Sequence, residues 1–325
     1  MITFIITVYP NLRYKKAIGL YANGYPYEAA LILEKLGDYK DCKQLTADYY
    51  FEAKEYYSAA RTYLLVRDDN MHNAYMCAMC YYLDKDYEEA IKRFKEIISY
   101  SYAKEYIVKC QLNFISAAEI NDEVKFGKYE QDNNTDNDKE EIDWIVINRK
   151  DDKVLLMSKN ILDYQQFNTD ATISSGAISK EEAYIPWPES YVRSFLNNDF
   201  YNGAFADEEK GYIMNSELST TDCDEFIYST QDNVFILSSE EFYTLKEKLT
   251  VGTCLQIATE YAKSKIGCHS CYTRIQQHYT GIFGISSIYS PGVIDRHGTV
   301  YFVSASTDTG ALRPCIGVDC SSIHE

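Results

Sequence analysis

Cys268-His269-Ser270-Cys271 is the segment whose residue types most directly suggest chemistry. Two thiolates separated by two residues suit a soft metal ion or thiol–disulfide exchange. A closed zinc site needs four ligands, and Cys315, Cys320 or His278 are residues of the right kind elsewhere in the chain. Copper or zinc at Cys268 and Cys271 is one expectation; the simpler one is buried thiols and no cofactor. Cys77-Ala78-Met79-Cys80 repeats the spacing inside a helical pattern, where it serves packing. The five histidines form no Ser/His/Asp or His-Glu-x-x-His arrangement, and the fifteen glycines form no phosphate loop. Asp132, Asn134, Asp136, Asp138 and Asp143 alternate like the oxygen ligands of a calcium loop. Asn137 stands where that loop needs glycine, however, and Asp143 where it needs glutamate, so a solvated hairpin tip is the expectation. Residues 290–300 gather Asp295, Arg296 and His297 in turn-rich sequence, either a recognition loop or a polar hairpin tip.

The elements that must carry these residues are short and mixed. Strands are expected at 126–129, 142–147 and 153–157, the last two joined by a tight turn at 149–152. A helical spacing covers 187–196. An apolar strand at 234–237 runs into Ser238-Ser239-Glu240-Glu241, a capping box that starts a helix. A helical segment follows at 258–263, then strands at 299–304 and 312–318. The pattern is that of an α+β domain over 124–320.

Residues 11–120 read differently. Gly24-Tyr25-Pro26-Tyr27-Glu28-Ala29, Lys54-Glu55-Tyr56-Tyr57-Ser58-Ala59 and Lys85-Asp86-Tyr87-Glu88-Glu89-Ala90 align on one template, their alanines 30 and 31 residues apart. Each alanine is followed at +4 and +7 by a large apolar residue on the same helix face: Leu33 and Leu36, Tyr63 and Val66, Phe94 and Ile97. A second helical stretch precedes each unit, at 14–22, 44–53 and 73–83. Pairs of antiparallel helices stacked as an all-α solenoid follow, with the small alanine letting the helices approach. Residues 1–10 are apolar without a basic flank or a cleavage site, and read as a short strand or an atypical chain start.

Composition separates the same two regions. The net charge is −17, but residues 1–120 hold 15 basic and 16 acidic side chains while residues 121–325 hold 17 and 33. Eighteen of the 31 tyrosines fall in the first region, where rings can pack and hydroxyls reach the wet edge. The acidity argues against gripping nucleic acid phosphates. No stretch approaches the roughly 20 apolar residues of a membrane span. Ten cysteines without a secretion signal suggest the reducing cytoplasm.

The repeats resemble tetratricopeptide-like repeats of slightly short period, and 36–42, with Gly37 ending a helix and Asp38 starting the next turn, resembles a bacterial subtype of them. The series 126–129, 142–147 with Trp144, 155–158, 190–205, 234–241, 259–263, 272–274, 298–300 and 310–314 resembles, in order, a bacterial family of unknown function similar to the C-type-lectin-like fold of formylglycine-generating (sulfatase-modifying) proteins. The resemblance covers about 190 residues, 124–319. The family's usual Trp-Leu-Arg strand is Tyr272-Thr273-Arg274 here, and polar stretches intervene at 169–184 and 217–231.

The resemblance implies a scaffold presenting variable loops. Arg274 and Arg313 then either satisfy buried carbonyls or carboxylates or, with Asp295, Arg296 and His297, bind a ligand. Formylglycine-generating enzymes hold copper on a cysteine pair just before an Arg-containing strand, as Cys268 and Cys271 precede Arg274. A copper oxidoreductase is therefore one alternative, and a structural assembly component without a small ligand another. The leading expectation is a non-enzymatic binding protein whose repeats dock a protein or peptide.

Overall fold

In the computed structural model, three turns of the first unit share one backbone conformation. Gly24, Lys54 and Lys85 all take positive φ, at 83°, 60° and 64°. Each lies five residues before its template alanine. The amide after each closes a long bond to the preceding helix: Tyr25 to Leu20 at 3.1 Å, Glu55 to Tyr50 at 2.9 Å and Asp86 to Tyr81 at 2.9 Å. This is the left-handed helix ending that satisfies terminal carbonyls. Ala29, Ala59 and Ala90 are fully buried.

The structure describes residues 2–66, 71–100, 102–167, 169, 186–221, 227–250, 257–265, 271–280, 287–294, 300–302 and 309–324; at 2–8, 272–280, 287–294, 300–302 and 324 it describes backbone alone. The chain divides into two compact units, Met1–Asn113 and Phe114–Glu325.

The first unit is a stack of helices: α1 (Ile2–Ala22), α2 (Pro26–Glu34), α3 (Cys42–Glu52), α4 (Tyr56–Tyr63), α5 (His72–Leu83), α6 (Tyr87–Glu96) and α7 (Ala103–Ala117), within which the division falls. Residues 2–10 continue α1 rather than forming a strand. Every described element of this unit is helical, so a β-branched run finds no strand to pair with. Leu33, Tyr63 and Phe94, at +4 from the template alanines, are buried. Tyr21 stacks on Tyr49 at 3.9 Å, and Phe94 on Tyr106 at 5.4 Å. Tyrosine hydroxyls cross between helices to carboxylates, Tyr21 to Glu52, Tyr50 to Glu34 and Tyr63 to Asp48.

The second unit is built on sheets. One is antiparallel, in the order β1 (Glu123–Tyr129), β2 (Glu140–Lys150), β3 (Lys153–Ser158), β11 (Cys315–Asp319). The other orders β4 (Asp163–Gln166), β10 (Thr309–Leu312), β7 (Cys271–Thr280), β8 (Ser287–Ile294) and β9 (Val300–Phe302). A separate hairpin pairs β5 (Ser216–Thr221) with β6 (Ile227–Asp232). Short helices intervene, among them α8 (Tyr191–Phe195), a π-helical turn Leu196–Phe200, α9 (Tyr201–Ala204), α10 (Asp207–Lys210), α11 (Ser239–Lys246) and α12 (Glu260–Ser264). The Ser238–Glu241 capping box forms as the sequence indicates.

Two strand expectations change. The run at 312–318 is two strands in two sheets, with Arg313 and Pro314 at the crossing. Proline has no amide for a ladder, which ends pairing there. Val234 to Leu237 is buried, and among the described residues its one bridge is Phe235 to Cys315; Asn197 occupies the backbone groups of Val234, with Oδ1 accepting from Asn233 and Val234 and Nδ2 donating to Val234 O.

The core of the first sheet centres on Trp144, Phe126, Phe200 and Phe205. Trp144 Nε1 donates to Phe126 O at 2.7 Å. A bulge in β1 puts Gly127 at φ 69°, where a Cβ would stand 2.6 Å from Phe205 Cε1. Only glycine fits that approach.

Candidate functional site

Cys271 opens β7 and is buried beside Ile161, Tyr164, Ala262 and Ala311. Cys268 lies outside the described residues, as do Asp295, Arg296 and His297. Arg274 occupies a position in β7 described by backbone alone. Cys315 and Cys320 are also fully buried, and burial pushes the Cys320 thiol up to about 12. Among the described residues, the one trio of His, Cys, Asp or Glu with ligand atoms within 4.8 Å of one another is Glu130, Asp132 and Glu140. It contains none of these cysteines.

That acidic trio sits on the β1–β2 connection. Its carboxylates already accept backbone amides: Gln131 to Glu140 at 2.7 Å, Asn134 to Glu130 at 2.9 Å and Asn134 to Asp132 at 2.8 Å. The Asn137 amide, donating to Asp132, holds that carboxyl below its ordinary range. Asp132 and Asn134 each accept the amide two residues on, the geometry of Asx turns. The trio has the donor set of a hard cation; as it stands, the same oxygens organise the tip.

Arg313 is 6% exposed, and its guanidinium donates to Ser158 O at 3.0 and 2.9 Å and to Lys159 O at 3.1 Å. Ser158 N donates to Pro314 O at 2.9 Å. The arginine thus closes the chain crossing between the sheets on the end of β3.

Two buried polar clusters carry no sequence motif. Asp163, 1% exposed, accepts from Tyr129 Oη and Lys265 Nζ, both at 2.6 Å, and from the Tyr164 amide at 2.6 Å. Burial first, and the Asp163 charge second, push the Tyr129 hydroxyl well above its usual range. The Lys265 ammonium sits 4.4 Å from the Tyr261 ring centre, and its hydrogen bonds to Asp163 and Tyr261 raise its pKa against the opposing effect of desolvation. The second cluster is centred on Asp232, also 1% exposed. It accepts from Trp187 Nε1 at 3.0 Å, Arg193 Nε at 2.7 Å and Thr230 Oγ1 at 2.9 Å. Both tie distant segments together, as fully satisfied networks do. Apart from the local Tyr164 and Thr230 donors, the partners are 34 to 102 residues from their aspartate, too far for any local spacing to reveal.

A third feature is concave. On the face of the first sheet, Leu155, Met214 and Gly317 floor a cleft of about 180 Å³ whose wall includes Arg149, Lys150 and Lys153. Asn148 pairs with Leu155, and Leu155 with Gly317, so one row of β2, β3 and β11 supplies this floor.

The fold is therefore a helical stack followed by a sheet unit with short intervening helices. Residues 151–281, inside the second unit, match the family described as Domain of unknown function (DUF6273). No curated protein and no solved structure matches the chain. Among the described residues no helix is long and apolar enough to cross a membrane.

Proposed function

We propose that the chain is a non-enzymatic binding or scaffold protein of the cytoplasm. In this reading the helical stack is a tetratricopeptide-like solenoid that docks a protein or peptide. The second unit is a C-type-lectin-like scaffold that presents a second recognition surface, and nucleic acid is not a partner. The observation that supports it is where apolar surface remains. Of the fifteen large hydrophobic side chains exposed among the described residues, eleven belong to the helical stack. On α4, Tyr57 is 60% exposed; just beyond the helix Leu64 is 50% and Leu65 66% exposed. Tyr57, Arg61 and Leu64 stand at i, i+4 and i+7, so one stripe carries them. Exposed apolar side chains gathered in one region are the surface that a protein partner would cover.

The test is affinity capture with the full chain and with a Tyr57→Ala/Leu64→Ser variant, whose altered side chains are at least half exposed. Loss of specific companions in the variant, with unchanged thermal stability, supports docking through the stack. Identical companions from both chains contradict it.

A further inference from the structure

Residues 2–10, the first nine of α1, contain no charged and no amide side chain. At 3.6 residues per turn, nine such positions surround the helix axis, so the segment has no charged face to turn to water. Its hydroxyls belong to Thr3, Thr7 and Tyr9, and a helical threonine can spend its hydroxyl on the carbonyl one turn back. A helix apolar on all sides is covered by a core or by lipid. Among the described residues, the packed core along α1 begins at Tyr14 and Ala17. Tyr9 and Leu12, which precede it, are both more than half exposed.

The charge that follows this segment is of one sign. Arg13, Lys15 and Lys16 are the charged residues of α1, and the helix holds no acid. Arg13 donates to the Tyr9 hydroxyl at 2.9 and 2.6 Å. Lys15 and Lys16 are exposed, and among the described residues neither has a carboxylate within 4 Å. Tyr9, Leu12, Arg13 and Lys16 stand at i, i+3, i+4 and i+7, so exposed apolar side chains and cations share one face. The neighbouring turn adds Lys40, which donates to Asn11, and Lys43, which pairs with Asp38, while Asp41 faces the Tyr14 hydroxyl. Across residues 1–43 the count is six basic against four acidic, in a chain whose net charge is −17. Nine residues of helix reach about 14 Å at 1.5 Å per residue, about half the thickness of the hydrocarbon core of a bilayer. The segment is too short to cross and long enough to enter one leaflet, with tyrosine at the interface and cations at the headgroups.

We infer that α1 anchors the chain to an anionic membrane surface, residues 2–10 inserting into one leaflet and Arg13, Lys15 and Lys16 meeting the negative headgroups of its phospholipids. This goes beyond the docking of a protein by the stack and does not depend on it. The test is flotation of the full chain with vesicles of mixed phosphatidylserine and phosphatidylcholine, and with vesicles of phosphatidylcholine alone. Binding to the phosphatidylserine vesicles is expected, weakening as salt rises. Binding to phosphatidylcholine alone, and binding of Lys15→Ala/Lys16→Ala to the anionic vesicles, should each be at least about tenfold weaker. Ile5→Glu/Ile6→Glu should abolish flotation. No flotation on anionic vesicles, equal flotation on both kinds, or flotation unmoved by either pair of substitutions overturns the inference. A chain that floats on neither and instead doubles in mass by light scattering, with the doubling lost in Ile5→Glu/Ile6→Glu, also overturns it and assigns the segment to a second copy.

Discussion

The polar side chains buried most deeply in the second unit act as ties between segments. Asp232 shows how much one such tie is worth. Its carboxylate side chain is wholly inaccessible, and Arg193 supplies its only cation within 4 Å among the described residues. Removing one partner of a buried pair leaves an uncompensated charge, which typically costs about 3–5 kcal/mol. Arg193 is partly exposed, so Arg193→Met should lower the unfolding free energy by about 3 kcal/mol in a urea titration, with Arg193→Lys recovering part of it. A loss under about 0.5 kcal/mol would show the Trp187 and Thr230 donors to be sufficient.

Glu209 offers a pH test. It is buried and accepts from the Ala206 and Gly127 amides, and burial raises its pKa above the ordinary carboxylate value. A carboxyl with a folded-state pKa above its unfolded one binds more protons when folded, so its contribution falls as pH rises through that window. The stability of the chain relative to Glu209→Gln should therefore decline as pH rises above the ordinary carboxylate range. Thiols give a third readout. Burial pushes Cys77 to about 11 and Cys110 and Cys320 to about 12. These three should resist alkylation at pH 8 in the native protein and react in urea, as peptide mass mapping would record.

At the scale of elements, the left-handed turn residues of the stack are the sharpest point. Glycine at Gly24 meets the conformation without penalty, whereas Lys54 and Lys85 adopt it with a side chain. Lys54→Gly and Lys85→Gly should each raise stability by about 0.5–1 kcal/mol, and Gly24→Ala should lower it by a similar amount, measured as shifts in Tm. The left-handed residue of each turn was not legible, since two of the three are lysines. The repeat itself was legible because the alanine period and the +4 apolar positions lie within a few residues of one another. The β2–β3 hairpin and the Ser238 capping box were legible for the same reason. The split of 312–318 was signalled by Pro314 but hidden by the apolar residues on both sides. At 234–237 the backbone groups of Val234 are taken by Asn197, nearly 40 residues away. The Asp163 and Asp232 clusters and the cleft are likewise assembled from distant segments, so no spacing announces them. Among the described residues Cys271 belongs to no trio of metal-ligating side chains, and Cys268 lies outside them.

For the whole molecule, composition and structure divide the chain alike: a tyrosine-rich stack with apolar side chains left in solvent, and an acidic sheet unit. A binding protein of this kind needs no metal. Purified protein should therefore hold no stoichiometric copper or zinc by elemental analysis, and copper that disappears in Cys271→Ser would replace the binding reading with an oxidoreductase. The central claim is that the stack docks a protein. Hydrogen exchange of the full chain, with and without the companion recovered by affinity capture, tests it most directly. Slowed exchange in α4 and the residues just after it, absent in Tyr57→Ala/Leu64→Ser, is the predicted result; protection confined to the second unit, or none, would contradict it.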